Sequence, residues 1–562
     1  MNENRQVKKN ILLLVTVLFV SLILIDRYYW AQISQWREDQ ATNLWLGYTS
    51  GIVDIPVGLV SSQNIPNPNG MILVGSLLSR LPNLLSISFF LGLVQVFLLL
   101  LVGWKASAGS WQYFLLATLP AISSVILRST SVEFWNQYTI TLVNIFFIFW
   151  ALRYLEHPSL WNLPPIAVLV LLAPSLYLAG VVNAIVMILI TLGMIVYKRP
   201  ASTGIGVVAI VVLSILLVSI LVTWIPYFQN VSLSQLAEYN KHSSGPMVIF
   251  RTLWESIFGI PIYGAFQWAD QSVFTLAFKH ADEGILTQPT KILLRLVGRA
   301  YLLQAIFAFA TVSYLIFHAL VYRVPKSDDP SRINLPAFRL VVLSLLFISL
   351  SFAISTWMGG PDWLNGERPD QTVQFLPMFL YFIFLLPVLN RIDGKAGEII
   401  TGISSFLLII FTTINLLCGF MIVRDHLQYR GDVLSEADIP LIDKAQAVNF
   451  IAKDWKNHSS SNIIPVDYDL GGDKWDWVPK FGVKITKWYP APMTQGRSFD
   501  YELLRRYGLK NEQEGMQIRT FGDGRYLVSY AFEDPPQVES GWITHTIFGR
   551  LRVSIVEQQE HE

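Results

Sequence analysis

Long apolar blocks alternate with short polar connectors along most of the chain. Because lipid offers the backbone no hydrogen-bond partners, an apolar block that crosses a bilayer must be a helix, which needs roughly 20 residues to span it. Eleven blocks approach this length: Ile11–Ile25, Leu84–Val102, Trp111–Leu127, Tyr138–Leu155, Pro164–Leu178, Val181–Tyr197, Ile205–Trp224, Tyr301–Val321, Arg339–Ile354, Val373–Leu389 and Ile399–Val423. The pattern therefore predicts a polytopic α-helical membrane protein with about eleven transmembrane helices.

The pattern changes after residue 424, where continuous apolar runs stop and charge rises. Residues 435–457 have apolar positions spaced for one buried helix face. Short segments with the alternating or β-branched character of strands follow at 462–466, 517–520, 525–530 and 550–556. The sequence thus predicts a transmembrane domain over 1–424, with long outside loops at 26–83 and 225–300. A soluble α/β or α+β domain is predicted over 425–562.

Basic residues in the connectors predict the orientation, since cytoplasmic loops are enriched in Lys and Arg. With the N-terminus in the cytoplasm, every second connector is cytoplasmic, and these carry Lys105, Arg153, Lys198 and Arg199, Arg323, Lys326 and Arg332, and Arg391 and Lys395. An odd number of spans then places 425–562 on the non-cytoplasmic side, in the periplasm, outside the cell or in a lumen. The count depends most on a break at Ala179-Gly180, because merging these two spans would invert everything downstream.

The composition limits which partners and cofactors the chain is expected to bind. Hydrophobic residues make up 53% of the chain and charged residues 14%, while a net charge of +1 gives no reason to expect nucleic acid as a partner. The single cysteine, Cys418, permits no intrachain disulfide and no cysteine-based metal cluster. The eight histidines are scattered, so no resident metal is predicted, and a divalent cation as cofactor stays open.

The first outside loop carries the most informative chemistry. Its residues 36–48 include Asp39, just beyond the first span, and a Pro-rich stretch follows at 65–70. A carboxylate at this depth can act as a base toward a hydroxyl delivered from the aqueous side. The structural alternative is that Asp39 only stabilises the start of a surface helix. Trp36 and Trp45 are interpreted as interfacial anchors, with sugar-stacking platforms as the alternative.

The order of elements here resembles a known family. A first span, an acidic Asp-Gln-Ala motif at 39–41, a helical run with small residues and a Pro-rich stretch before the next helix resemble the C-type (GT-C) glycosyltransferases. These include the protein O-mannosyltransferases and the lipid A aminoarabinose transferases. The resemblance covers the chain to about residue 425 and implies that Asp39 is the catalytic carboxylate. It also implies a second acidic residue in the second outside loop, here Glu133, for which a solvated loop acid is the alternative.

The chain departs from the family at two points of the motif. The family often has Glu after the aspartate, where this chain has Gln40, and it often has His or Lys before paired prolines, where this chain has Asn64 ahead of Pro66 and Pro68. These departures leave the subfamily open.

A lipid-phosphate sugar donor also needs cations, because negative charge develops on its leaving group. Arg368, Arg128 and Lys279 are the predicted donor-phosphate ligands. The segment 368–377 resembles the family's basic residue ahead of a helix with an early proline. Arg368 has the alternative of a snorkelling interfacial arginine, and for Lys279 a surface role is favoured. Further basic residues predicted on the same face are Arg27, Lys291, Arg295 and Arg299.

Together these features predict an inverting glycosyltransferase that moves a sugar from a polyprenyl-phosphate-linked donor to a lipid, glycan or protein acceptor on the non-cytoplasmic face. The donor is expected to enter laterally from the membrane lipid. One alternative is a transporter or flippase of a lipid-linked saccharide, although the sequence lacks the charged spans and repeated broken helices typical of carriers. A non-catalytic subunit of a polysaccharide assembly complex is the other.

Overall fold

A computed structural model describes residues 2–34, 36, 38–49, 58, 67–107, 114, 118–119, 121–134, 136–178, 180–198, 204–231, 285–297, 299–300, 339–340, 342–344, 346–347, 350–351, 354, 395–430, 439–470, 497–511, 525–532 and 542–556. The membrane part is predominantly helical in these ranges. Its helices are α1 (Asn2–Gln32), α2 (Glu38–Thr49), α3 (Gly70–Leu78), α4 (Leu84–Ala106), α5 (Val125–Ser131), α6 (Asn136–Glu156), α7 (Leu163–Leu176), α8 (Gly180–Lys198), α9 (Ile205–Ser219), α10 (Ile225–Asn230) and α11 (Lys395–Gln428). A 3₁₀ turn at Leu160–Asn162 precedes α7, and a π-helical turn at Ile220–Trp224 joins α9 to α10.

Several of these helices are suited to a bilayer. Within the described part of the chain, five are long and apolar enough to cross a membrane: Leu84–Ala106, Tyr138–Glu156, Gly180–Lys198, Ile205–Asn230 and Ile409–Gln428. Large apolar side chains such as Leu213 on α9 and Phe97 on α4 point away from the protein. An exposed apolar face of this extent is stable against lipid rather than water. The chain is therefore a helical membrane protein.

The count of eleven spans stays a prediction. The predicted spans at 301–321 and 373–389 lie outside the described residues, and those at 111–127 and 339–354 are described only in part. The break at Ala179-Gly180 is confirmed as a boundary between two helices, since α7 ends at Leu176 and α8 begins at Gly180. The two helices pack closely, and a Cβ at Gly180 would overlap the Ala173 carbonyl of α7.

The two ends of the helix bundle differ in character. Helices α4, α6 and α8 each carry a basic residue in their last turn, namely Lys105, Arg153 and Lys198. Lys105 pairs with Glu156 at 2.6 Å, which shows that α4 and α6 end side by side. The opposite end of α4, at Leu84, contacts the C-terminal part of the chain.

The C-terminal domain has a hydrophobic core of its own, which its described residues build from two helices and two small sheets. Helices α12 (Leu441–His458) and α13 (Arg497–Tyr507) pack with strands β1 (Ile463–Ile464), β2 (Val466–Asp469), β3 (Lys510–Asn511), β4 (Tyr526–Tyr530), β5 (Trp542–Phe548) and β6 (Leu551–Val556). The larger sheet has the order β2-β4-β6-β5, in which β2 and β4 are parallel and the other pairs antiparallel. β1 and β3 form a separate parallel pair.

The sequence predicted part of this domain. The helix predicted at 435–457 is confirmed as α12, which begins at Leu441, and the strands predicted at 462–466, 525–530 and 550–556 correspond to β1 with β2, β4 and β6. The strand predicted at 517–520 lies outside the described residues. Helix α13 and strand β5 were not predicted.

Candidate functional site

Three charged side chains form a buried cluster around the end of α1. The Arg128 guanidinium lies 2.7 Å from one Asp26 carboxylate oxygen, and the Arg27 guanidinium lies 3.2 Å from the other. Arg27 also donates a hydrogen bond of 3.0 Å to the Ile122 carbonyl. Both arginine side chains are fully buried, with 0% exposure. Two buried guanidinium groups therefore share one carboxylate, and the cluster carries a net positive charge.

The Arg128 guanidinium contacts groups on α1 and α11 as well as Asp26. It lies 5.5 Å from the centroid of the Trp30 ring and donates a hydrogen bond to the Asn415 carbonyl on α11. A Cβ at Gly419, one turn further along α11, would overlap this guanidinium. The cluster thus joins α1, α5 and α11. The Nε atoms of Arg27 and Arg128 are buried, and no described residue accepts a hydrogen bond from them.

One turn of α4 connects this cluster to the loop that follows α1. Ser88 accepts a hydrogen bond of 2.8 Å from the Trp36 indole and lies 3.0 Å from the Ser34 hydroxyl. Four residues further along, Gly92 leaves room for Arg27. Because positions four apart on a helix are neighbours, the side chains of Arg27 and Trp36 contact adjacent turns on one face of α4.

A ring stack brings the two predicted catalytic segments together. Trp36 and Phe134 stack with centroids 6.3 Å apart and planes at 29°. Phe134 follows Glu133, and Trp36 precedes Asp39 by three residues. α2 begins at Glu38, so the backbone of Asp39 lies in the first turn of this helix. The stack therefore places the start of α2 beside the Glu133 segment.

The predicted site residues have different outcomes in the structure. Glu133 is only 8% exposed, so its interpretation as a solvated loop acid is wrong. Trp36 is fully buried and hydrogen-bonded inside the protein, so its interpretation as an interfacial anchor is also wrong. The position of Asp39 in the first turn of α2 fits a base at the membrane surface and equally a carboxylate that stabilises the helix start. Arg368 and Lys279 lie outside the described residues.

Arg128 is described, and its terminal nitrogens contact groups within the protein. A donor phosphate that bound Arg128 directly would have to replace Asp26 or the Asn415 carbonyl. In this structure the hydrogen bonds of Arg128 to Asp26 and to the Asn415 carbonyl hold helices of the bundle together. Its positive charge contributes to the electrostatic potential of the region.

Sequence reasoning missed Asp26 and Asn415 as members of this site. A usable signal was present, because a carboxylate and two arginines at the ends of apolar helices must find partners to be stable there. It did not specify the pairing, since Asp26 and Arg128 are 102 positions apart.

The comparison with known families adds no assignment, as no family model matches the chain. Among the described residues, no three His, Cys, Asp or Glu side chains come together in a way that would hold a metal ion.

Proposed function

We propose that the protein is a membrane-embedded glycosyltransferase that transfers a sugar from a polyprenyl-phosphate-linked donor, with inversion, to a lipid, glycan or protein acceptor. The observation that carries this proposal is the stack of Trp36 on Phe134. It brings the start of α2, where Asp39 lies, beside the Glu133 segment. Trp36 and Arg27 of the buried positive cluster contact adjacent turns of α4, at Ser88 and Gly92. A general base, a second acid and positive charge are the groups that such a transfer requires.

In the proposed step, the Asp39 carboxylate removes the proton of an acceptor hydroxyl as its oxygen attacks the anomeric carbon of the donor sugar. The bond between that carbon and the phosphate oxygen breaks, and the polyprenyl phosphate leaves with the electron pair. Attack opposite the leaving group inverts the anomeric configuration. Glu133 holds the acceptor, and Arg368 with Lys279 contacts the donor phosphate.

Arg128 and Arg27 act through their charge in this proposal. The cluster with Asp26 keeps one net positive charge in a region of low dielectric constant, where electrostatic attraction extends further than in water. A developing negative charge on the leaving phosphate is stabilised without direct contact. This assignment keeps Arg128 in the ion pair in which the structure places it.

The orientation of the protein is part of the proposal. Lys105, Arg153 and Lys198 lie in the last turns of helices at the end of the bundle opposite the C-terminal domain. Because basic residues concentrate on the cytoplasmic side, this end is cytoplasmic and the C-terminal domain faces the other side. The site between α1, α2 and α4 then opens to the non-cytoplasmic face.

Transfer by the purified protein tests the function. Full-length protein in detergent is supplied with polyprenyl-phosphate sugars and with lipid, glycan and peptide acceptors, and products are identified by mass spectrometry with the anomeric configuration assigned by NMR. We expect an inverted product from wild type and from Glu38→Gln, and almost none from Asp39→Asn. Glu38→Gln is the matched control, because it removes the same charge from the same helical turn.

Other results would favour the alternatives. Movement of an intact lipid-linked saccharide across proteoliposomes without transfer would identify a transporter or flippase. Absence of both activities, restored only by co-purified proteins, would indicate a non-catalytic subunit.

Cysteine labelling tests the orientation. The native Cys418 is buried, which gives a low background for a membrane-impermeant maleimide. Lys453→Cys on α12 and His157→Cys after α6 both introduce exposed thiols at opposite ends of the molecule. In intact cells we expect labelling of the first only. Labelling of His157→Cys instead would invert the proposed orientation.

A further inference from the structure

The C-terminal domain inserts a lysine beside Trp36, in the segment that precedes α2 and Asp39. Lys444 on α12 is buried, and its ammonium group donates a hydrogen bond of 3.0 Å to the Trp36 carbonyl. The same group lies 3.2 Å from the Ser498 hydroxyl and 5.7 Å from the centroid of the Phe499 ring, both on α13. Lys444 thus connects two helices of one domain to a loop of the other.

A buried lysine destabilises the fold unless its ammonium group is hydrogen-bonded. An ammonium group removed from water loses its hydration, and hydrogen bonds must replace it. Here one of those bonds is to a backbone carbonyl two residues before α2 begins at Glu38. The indole of the same residue is fixed by Ser88 and its ring by Phe134. The Lys444 contact adds a constraint on the Trp36 backbone, two residues before α2 begins.

We infer that Lys444 is a positioning residue: from the C-terminal domain it fixes the backbone at Trp36 and thereby the place of Asp39 relative to the acceptor. This inference rests on the proposed function for the role of Asp39. The positioning of the segment itself does not depend on it.

The geometry distinguishes this role from general adhesion between the domains. Other interdomain contacts hold other segments: Arg505 donates to the Ser79 and Arg80 carbonyls, and Glu502 accepts from the Leu84 amide. These contacts can keep the domains together when Lys444 is replaced. Loss of the Lys444 ammonium group should therefore loosen the start of α2 without separating the domains.

Hydrogen exchange measures the loosening directly. In full-length Lys444→Met, which preserves most of the side-chain volume, we expect amides of the peptide covering residues 38–45 to exchange roughly tenfold faster, as for the loss of a charged hydrogen bond. Exchange in β4 and β6 should stay at its wild-type rate. Ser498→Ala, which removes one partner of the ammonium group, should give a smaller change in the same direction and covers the case in which Lys444→Met folds poorly. Lys453→Met, on the exposed face of the same helix, is the matched control.

Kinetics then separate positioning from stability. A displaced base lowers turnover, whereas donor binding at other residues is unaffected, so Lys444→Met should lower kcat by roughly ten- to a hundredfold with an unchanged donor KM. A general loss of folded protein would instead lower the amount of active enzyme in proportion to thermal stability. Unchanged exchange over 38–45, or equally faster exchange in β4 and β6, would overturn the inference. If wild type transfers no sugar, the proposed function fails, and the exchange data alone still decide whether Lys444 positions the segment.

Discussion

Two groups of charged residues lie near the same end of α4, and they differ in the kinds of group that they contact. Inside the helix bundle, Asp26 on α1 pairs with Arg27 and with Arg128 on α5, and each arginine also donates a hydrogen bond to a backbone carbonyl. At the junction with the C-terminal domain, Lys444 and Arg505 bind backbone carbonyls, and Glu502 binds a backbone amide. The first group joins helices, and the second holds loops and helix ends.

The difference follows from where backbone groups are free. Within an α-helix most amides and carbonyls bond one another, so the two buried arginines of the cluster need the Asp26 carboxylate in addition to the carbonyls of Ile122 and Asn415. The ends of a helix leave amides and carbonyls unpaired. Arg505 contacts the carbonyls that follow α3, and Glu502 contacts the first amide of α4. Each charge also matches the helix dipole at that end, because carbonyl ends attract cations and amide ends attract anions. The junction is thus suited to positioning segments, and the cluster to stabilising the bundle.

The sharpest test of this division is Asp39→Asn. Asp39 belongs to a segment that the junction positions, so its loss should affect chemistry and not folding. We expect transfer to fall roughly 10²–10⁴-fold, as for removal of a general base. The thermal unfolding midpoint in detergent should match that of wild type. Turnover near the wild-type rate would remove Asp39 from the mechanism.

The opposite outcome is expected for Asp26→Asn. The change leaves two buried guanidinium groups without a carboxylate, which typically lowers the free energy of unfolding by about 3–5 kcal/mol. Denaturant or thermal unfolding of the purified protein measures this loss. Lys105→Gln serves as control, because the Lys105–Glu156 pair is partly exposed and should contribute less than about 1 kcal/mol. Equal effects of the two changes would show that the cluster does not stabilise the bundle.

The junction should respond to pH through Glu502. Burial raises the pKa of this carboxyl to about 7 from an ordinary value of 4.5, while the Leu84 amide and Arg506, 3.7 Å away, partly oppose the shift. Burial also raises the pKa of neighbouring Tyr501, which keeps that phenol neutral. A raised pKa means that the folded state holds the proton more tightly. The stabilisation is therefore complete below about pH 4.5 and is lost as the pH rises through 7.

We expect wild type to lose up to about 3 kcal/mol of stability over this pH range relative to Glu502→Gln, in which the position cannot titrate. The difference between the two unfolding curves isolates Glu502 from other titrating groups. Parallel curves for the two proteins between pH 5 and 7.5 would contradict the prediction.

The smallest effect is expected for Arg505→Lys. The guanidinium donates hydrogen bonds of 2.6 and 3.0 Å to two adjacent carbonyls, those of Ser79 and Arg80. An ammonium group cannot reproduce this forked geometry, so about 1 kcal/mol of stability should be lost. Arg506→Lys, one position further on α13, is the matched control. A null result for Arg505→Lys would mean that charge alone, and not its geometry, holds the loop after α3.

The local elements of this protein were largely predictable from its sequence. The apolar blocks at 84–102, 138–155 and 205–224 correspond to helices, and the spacing of apolar positions at 435–457 corresponds to α12. Helix α13 was missed because most of its residues are polar, although its apolar residues share one face. It packs against α2 and α12 and contacts the start of α4 through Glu502, and these partners lie far away in the sequence.

Which helices are buried inside the protein could also not be predicted from their apolar character alone. In the apolar stretch of Tyr138–Glu156, 78% of residues are buried, against 6% in that of Ile205–Asn230, although the second is the more apolar. In water the order would be reversed. Lipid accepts the most apolar helix on the outside, and the inner helix carries polar residues such as Asn144 that need protein partners.

The sequence by itself determined that this chain is a helical membrane protein with a separate C-terminal domain, because hydrophobic length and period are local properties that each segment carries alone. It also drew attention to Asp39, Glu133 and Arg128 by their residue types and places beside spans. Only the tertiary structure decided that Glu133 is buried, that Arg128 pairs with Asp26, and that Lys444 reaches the Trp36 carbonyl across 408 positions. Charged and hydrogen-bonding partners are selected by which segments meet when the helices and the C-terminal domain pack together, and no local pattern encodes that meeting.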